Sequence, residues 1–481
     1  MARFILLALV IVNSAAPMRA QNPPPAASSG PVDGSLRANF DGSRLQALLV
    51  REGYFFLKLA RDKKTLMVSA MCQAEGKPVH LLIDSGTNRT SVSDETAKRL
   101  RLKITGSDTI ASGGRDLVKV QTASIHALEI GRLGSVEAAV FVVDDASGRA
   151  LAKENGQQVY DGILGSEWLA AHSCVLDLGN NILYYLPPGP NNRSESPGKT
   201  SGRARTGALL WQSGFKFLDV RRTNLTRLWI ADSTANGKRL HLMVDTGAVV
   251  NSVAVEIANE LKLAIVPFPG KSSMASGDVR DLKFGPIADW KIGDLDISGS
   301  NVWVMDFSAQ RKQAQRLNEL VHDGILGVAV LSFCSAIIDF GHDVIYYCKN
   351  PFEKQFDLLS GKWQARRVER EGVLESAART KEWKASIDGD HLHLQGDQRV
   401  WQCAYSLKLG VPHCLIDLVE KPSSGVQKVN RMFGNYEIDD AGNKLTVCVS
   451  TEGDESKRPT QMESKKDSKT ILIEFERVTE K

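Results

Sequence analysis

The sequence predicts a mainly β protein: one β unit written twice in tandem, followed by a separate small β domain. Three observations carry this. First, "HLLIDSGTNRTSVS" (His80 to Ser93) returns as "HLMVDTGAVVNSVA" (His241 to Ala254), with six of fourteen positions identical and Asp84 and Asp245 in register 161 residues apart. Second, "YDGILGSEWLAAHSCVLDLGNNILYY" (Tyr160 to Tyr185) aligns without a gap with "HDGILGVAVLSFCSAIIDFGHDVIYY" (His322 to Tyr347), eleven of 26 positions being identical. Such self-similarity at a fixed offset is the mark of a repeated structural unit. Third, residues 356–481 contain no further Asp-[Ser/Thr]-Gly turn, and alternating runs such as "HLHLQ", "KLTVCVS" and "TILIEFERV" point to strands of a different domain.

Along the chain, residues 1–20 read as a signal peptide. Arg3 supplies a positive start, "FILLALVIV" a short apolar core, and "SAA" or "MRA" a small-residue cleavage site. The apolar run is far shorter than the roughly 20 residues that cross a bilayer, an uncleaved anchor being the alternative. The expectation is an exported chain, periplasmic, envelope-bound or secreted, with no integral membrane span once mature. Residues 21–45 form a Pro/Ala/Ser/Gly leader unable to build a core, and residues 188–207 form a similar linker. These bound a first unit at 46–187, a second at 208–350 and the C-terminal domain at 356–481.

Within each unit, Val/Ile/Leu-rich runs alternate with Gly- and Asp-containing turns, as short strands do. Two helices interrupt them. One follows the Asp turn ("SDETAKRLRL", "AVEIANELKL"), Ser93 being a natural N-cap, and the other follows "ILG". "DLGNNI" and "DFGHDV" read as hairpin turns.

With 60 basic and 56 acidic residues the formal charge is only +4. No basic surplus marks a nucleic-acid partner. The seven cysteines (Cys72, Cys174, Cys334, Cys348, Cys403, Cys414, Cys448) are an odd number without CxxC or CxxH spacing. They give no metal site and read as small buried side chains, with room for one or two disulfides.

One Asp-[Ser/Thr]-Gly turn means little, because all three residue types favour turns. Two, each after an aliphatic run, each before a small residue (Thr87, Ala248) and each inside a copied unit, mean more. If the copies pack about a pseudo-twofold axis, Asp84 and Asp245 meet. Two close carboxylates cannot both ionise easily and retain a shared proton. The ionised one can then take a proton from water while the protonated one polarises a carbonyl.

The two units resemble the lobes of retropepsin-like and pepsin-like aspartic proteases. "LLIDSGT" and "LMVDTGA" are similar to the family's apolar-apolar-Asp-[Ser/Thr]-Gly-[Ala/Ser/Thr] signature, and the two "DGILG" segments to its later apolar-apolar-Gly segment. A carboxyl pair sharing one proton is the established chemistry of that family. The resemblance implies two retropepsin-like acid-protease lobes in a pseudo-twofold bilobal unit, without cofactor or metal, acting on polypeptide as a monomeric pseudo-dimer. It implies Asp84 and Asp245 as catalytic residues. It also implies Ser85 and Thr246 bonding across the interface, and Gly86 and Gly247 turning the backbone beneath the carboxyls. Ser112 and Gly113, with Ser276 and Gly277, fall where flaps would be; neither stretch has the tyrosine of pepsin-type flaps, and Arg115 and Arg280 there read as solvent-facing. Asp161 and Asp323 read as structural, and His80 and His241 as strand histidines.

The C-terminal segments "LSGKWQARRVEREG", "GNYEIDDAGNKLTVCVS", "KRPTQMES" and "ILIEFERV" resemble a small uncharacterised domain of exported planctomycete proteins. The Gly361-Lys362-Trp363 start is similar to that of lipocalin-like barrels, so a small β-barrel is expected, as an accessory module. The leading functional reading is an exported aspartic endopeptidase. Its rival is a peptide-binding protein of the same fold without turnover.

Overall fold

The computed structural model describes residues 6–7, 9–11, 42–112, 117–187, 198–224, 226–274, 279–348, 351–389, 391–408, 414–420, 430–439, 441–454, 457–459 and 462–478. The described residues up to 348 form one compact unit and those from 351 a second.

In the first unit the duplication is visible strand by strand. Val68–Ala74 and Lys77–Ile83 form a hairpin, and Lys77–Ile83 lies parallel to Gly162–Leu164. That short strand runs antiparallel to Ser91–Ser93, which is parallel to Val136–Val143. The sheet continues through Leu117–Glu129 to Ile104–Ser112. The second copy repeats this order with Trp229–Ala235, Lys238–Asp245, Gly324–Gly327, Ser252–Ala254, Asn301–Met305, Val279–Pro286 and Val266–Met274. Both faces of these central strands are covered, which is why Leu81–Ile83 and Leu242–Val244 are unbroken apolar runs, all buried.

The apolar leading segment also enters these sheets. Leu6–Leu7 runs parallel to Ile104–Ser112, and Leu9–Ile11 antiparallel to Val266–Met274. An extended apolar segment satisfies its backbone groups on the open edges of those hairpins.

Helix Asp94–Leu100 follows the first Asp turn. The Ser93 hydroxyl accepts the Thr96 N–H at 3.0 Å, and Asp94 and Glu95 sit in the first turn, as an N-cap and the helix dipole favour. Its counterpart Val255–Glu260 starts after Ala254 and has no side-chain cap.

A third sheet joins the copies. Its order is Phe215–Asp219, Val344–Cys348, Ile337–Asp339, Val175–Asp177, Ile182–Tyr185, Phe55–Lys58, so each copy supplies three strands. The central seam is antiparallel, with Val175 opposite Asp339, Leu176 opposite Ile338 and Asp177 opposite Ile337. Val175, Tyr184, Ile337 and Tyr346 pack against Leu45 and Leu49 of helix Gly42–Arg51 and Leu210 of helix Gly198–Gln212. Helical backbone thus begins inside the stretch read as linker, and Arg205 on that helix pairs with Glu52 at 2.6 Å.

The second unit is a closed barrel of eight antiparallel strands. They are Gly361–Arg370, Lys384–Asp388, His391–Gly396, Arg399–Lys408, Cys414–Glu420, Arg431–Ile438, Lys444–Ser450 and Thr470–Arg477, the last pairing with the first. The Trp363 indole donates to Leu359 O at 2.8 Å, and the Arg477 guanidinium stacks 4.3 Å above the same ring while donating to Leu358, Ser360 and Gly442 carbonyls. No disulfide joins the seven cysteines, and five of them are buried. No helix among the described residues is long and apolar enough to cross a membrane.

Candidate active site

Asp84 follows the strand Lys77–Ile83, and Asp245 ends the strand Lys238–Asp245. Each carboxyl is drawn back onto its own turn: Asp84 Oδ1 accepts Gly86 N–H at 2.8 Å, and Asp245 Oδ1 accepts Gly247 N–H at 2.9 Å. A Cβ on Gly86 would stand 2.2 Å from the Asp245 carboxyl carbon. Only glycine therefore lets one turn lie against the carboxyl of the other.

The turns are bolted together by the next residues. Ser85 Oγ donates to Val244 O at 2.8 Å and accepts Thr246 N–H at 3.1 Å. Thr246 Oγ1 donates to Ile83 O at 2.8 Å and accepts Ser85 N–H at 3.1 Å. All four bonds are buried, so the geometry between the lobes is set where the two carboxyls sit.

The GILG segments pass behind the turns at a distance that excludes side chains. A Cβ on Gly162 would be 2.2 Å from Ser91 O and one on Gly324 2.0 Å from Ser252 O; Gly165 and Gly327 are similarly close to backbone at Arg89 and Val250. The Leu164 carbonyl accepts Asp84 N–H at 3.1 Å, fixing the first turn from below.

Asp84 and Asp245 are both fully buried. Burial pushes both carboxyls above the ordinary carboxylate range, because the charged form loses its water. For Asp84, the Thr87 hydroxyl and the Gly86 N–H work against that rise. For Asp245 the neighbouring Asp84 carboxyl adds to it, and the direction is well upward. At the third residue after the aspartate the copies differ in hydroxyl: Thr87 Oγ1 donates to Asp84 Oδ2 at 2.7 Å, whereas Ala248 has no hydroxyl to offer Asp245. No hydroxyl or N–H reaches Asp245 Oδ2 among the described residues.

The other repeated polar residues are held elsewhere. Asp161 accepts His80 N–H at 2.8 Å and pairs with Arg99 at 2.8 Å; Asp323 accepts His241 N–H at 2.9 Å and pairs with Arg311 at 2.9 Å. Both carboxylates serve the strand register beside GILG, away from the Asp84–Asp245 pair. His80 Nε2 shares a 2.7 Å hydrogen bond with the Ser69 hydroxyl, a partner its local sequence does not reveal. Its Nδ1 meets the Gln158 amide and not a carboxylate, and Ser69 is buried, so a serine–histidine nucleophile is not assembled. His241 instead bonds Asp232 at 2.8 Å.

Of the flap candidates, Gly113, Ser276 and Gly277 lie outside the described residues, and Ser112 is described only as the backbone end of its strand. The strand pairs on either side of those stretches, Ile104–Ser112 with Leu117–Glu129 and Val266–Met274 with Val279–Pro286, are formed in both lobes. No group of three or more His, Cys, Asp or Glu among the described residues is arranged to hold a metal. Sequence reasoning missed the Thr87 hydroxyl, and also Thr90 and Asn251, whose side chains accept the N–H groups of Gly165 (3.4 Å) and Gly327 (2.9 Å). The signal was present, since those two residues occupy equivalent places in the repeat.

The aspartyl protease family model matches this chain twice. The matched residues are 70–168 and 231–330, so each match spans one Asp turn and its GILG segment. No curated protein matches the sequence. Among solved structures, basic 7S globulin from soybean is similar at 13% identity, covering 63% of this chain and 96% of its own, with a TM-score of 0.32. An aspartic proteinase from Irpex lacteus is similar at 10% identity over 62% of this chain and 97% of its own, TM-score 0.31. A retropepsin-like aspartic protease from Rickettsia conorii is similar at 15% identity, covering 28% of this chain and 89% of its own, TM-score 0.19.

Proposed function

We propose that the chain is an aspartic endopeptidase in which Asp84 and Asp245 act as one acid–base pair. The observation that carries this is the meeting of two fully buried carboxyls on turns locked together by Ser85 and Thr246. Buried and adjacent, the two retain one proton over a range where isolated carboxylates have lost theirs. The ionised carboxylate removes a proton from water as the water oxygen bonds to the peptide carbonyl carbon. The carbonyl oxygen, taking the π electrons, receives the proton of the other carboxyl. Return of a proton to the amide nitrogen then allows the C–N bond to break, with no covalent enzyme intermediate. Ser85, Thr246, Gly86 and Gly247 hold the pair in place, and the hairpins carrying Ser112, Gly113, Ser276 and Gly277 flank the peptide.

Both carboxyls come from one chain, so the proposal includes activity as a monomer. Export rests on the Arg3-led apolar start. The C-terminal barrel is an accessory module whose likeness to the planctomycete domain rests on segments such as "GNYEIDDAGNKLTVCVS". N-terminal sequencing of the secreted or envelope protein checks the first of these. The central test is peptide-library cleavage from pH 3 to 8 by wild type, Asp84→Asn and Asp245→Asn. Equal loss in both variants is expected. Peptide binding without cleavage at any pH would instead identify a peptide-binding protein.

A further inference from the structure

We propose that Thr87 makes the carboxyl pair asymmetric, fixing Asp84 as the ionised member and Asp245 Oδ2 as the oxygen that carries the proton. This rests on the paired-carboxyl reading above and goes beyond it by giving each aspartate a separate task.

The two turns give their carboxyls the same support on one side, an N–H from the glycine two residues on, at 2.8 Å for Asp84 and 2.9 Å for Asp245. The difference lies on the other oxygen. Asp84 Oδ2 accepts the Thr87 hydroxyl at 2.7 Å, and Thr87 is fully buried. A hydroxyl donor to a carboxylate is worth more to the charged form than to the neutral acid, most of all where water is excluded. Ala248, equally buried, puts a methyl group at the equivalent place, and Asp245 Oδ2 has no donor. A buried oxygen without a donor is a poor seat for charge and a good one for a proton, since once protonated it can itself donate to the neighbouring carboxylate.

Other charges do not supply the bias. The repulsion between the two carboxyls keeps one proton on the pair without by itself choosing its seat. Arg89, further along the first turn, is engaged by Glu167 at 3.4 Å and stacks 5.4 Å from the Phe141 ring centroid. Asp161 and Asp323, beside the GILG strands, are each neutralised by an arginine. Arg115 lies outside the described residues, and Arg280 is described only as backbone of its strand. Burial raises both aspartates, so the pair holds a proton whose seat the hydrogen bonds decide.

The division of labour follows. Asp84 takes the proton from water as the oxygen–carbon bond forms, and Asp245 delivers its proton to the carbonyl oxygen as the π bond opens. Thr87 touches neither water nor peptide in these steps. It is a positioning residue acting through Asp84.

The test is carboxyl-carbon NMR titration of the full chain with labelled aspartate, assigned through Asp84→Asn and Asp245→Asn, alongside the pH profile of peptide cleavage. The variants are Thr87→Val, which keeps the shape without the hydroxyl, Thr87→Ser, which keeps the hydroxyl, and the exchange T87V/A248T. In wild type, Asp84 is expected to titrate first. Thr87→Val should raise that lower transition by about one to two pH units, moving the acid limb of any cleavage profile with it, and Thr87→Ser should restore it. The exchange should make Asp245 the first to ionise. An unchanged order of titration in folded Thr87→Val, or loss of the shift in Thr87→Ser as well, overturns the assignment. A wild type that never cleaves, with Asp84 still titrating first and the order reversed in T87V/A248T, would retain the assignment and remove the protease reading.

Discussion

Ser85 and Thr246 hold each other across the lobe interface, each hydroxyl accepting the other's backbone N–H at 3.1 Å and donating to a carbonyl of the opposite lobe at 2.8 Å. Removing one hydroxyl orphans a buried N–H and a buried C=O together. At about 1–3 kcal/mol for each such group, Thr246→Ala should cost roughly 2–6 kcal/mol, read as a lowered urea midpoint with unchanged slope. Thr246→Ser should recover most of the loss, and a Thr246→Ala midpoint equal to wild type would show that the interface does not depend on these bonds.

Gly324 is fixed by backbone and not by a side chain that could move aside. A Cβ there lies 2.0 Å from Ser252 O, so Gly324→Ala must push Gly324–Gly327 away from Ser252–Ala254. A loss above about 4 kcal/mol is expected, seen as poor recovery of folded protein. Gly237, at a positive φ in the hairpin turn with open space around it, is the contrast: Gly237→Asn should fold normally.

The carboxyl pair should destabilise the fold at neutral pH. Both folded-state values are raised, so the folded form binds protons more tightly than the unfolded chain. Stability from this source is present below the unfolded value near 4 and is lost as pH rises through the folded values. Asp245→Asn should therefore raise the melting temperature at pH 7 more than at pH 4. A larger gain at pH 4 would contradict the burial of the pair.

His322 works in the other direction. Burial, aided by Arg311, holds its pKa down to about 4, so the folded protein keeps it neutral. Its contribution is full above the ordinary histidine value of 6.5 and is lost as pH falls towards 4, by about 3 kcal/mol in all. His322→Phe, which keeps a ring against Phe307, should flatten the stability profile between pH 6.5 and 4. Urea midpoints across that range check it.

What the sequence made legible were constraints written twice. An aliphatic run ending in Asp-[Ser/Thr]-Gly and a GILG segment each answer a backbone contact, and backbone contacts leave few residue choices. The Ser93 cap was legible because capping is local. What escaped was set at long range. The pairing of Val175–Asp177 with Ile337–Asp339 has no periodic signature. The helix Gly198–Gln212 is rich in Gly, Ser, Thr and Arg, and its apolar residues Leu209 and Leu210 meet a partner only once the joining sheet exists. The Ser69 hydroxyl beside His80 arrives from a neighbouring strand. Thr87 was visible as a small residue, but its hydroxyl mattered only after the turn had folded it onto Asp84.

The seam between Val175–Asp177 and Ile337–Asp339 joins equivalent strands of the two copies about a local dyad, as the interface of two identical subunits would. Identical subunits, however, carry every residue in duplicate: a threonine beside one carboxyl would place a threonine beside the other. Joining the copies in a single polypeptide frees them from that rule. A mutation can then fall on one side of the dyad alone, and Thr87 opposite Ala248 is a difference that no symmetric pair of chains could inherit.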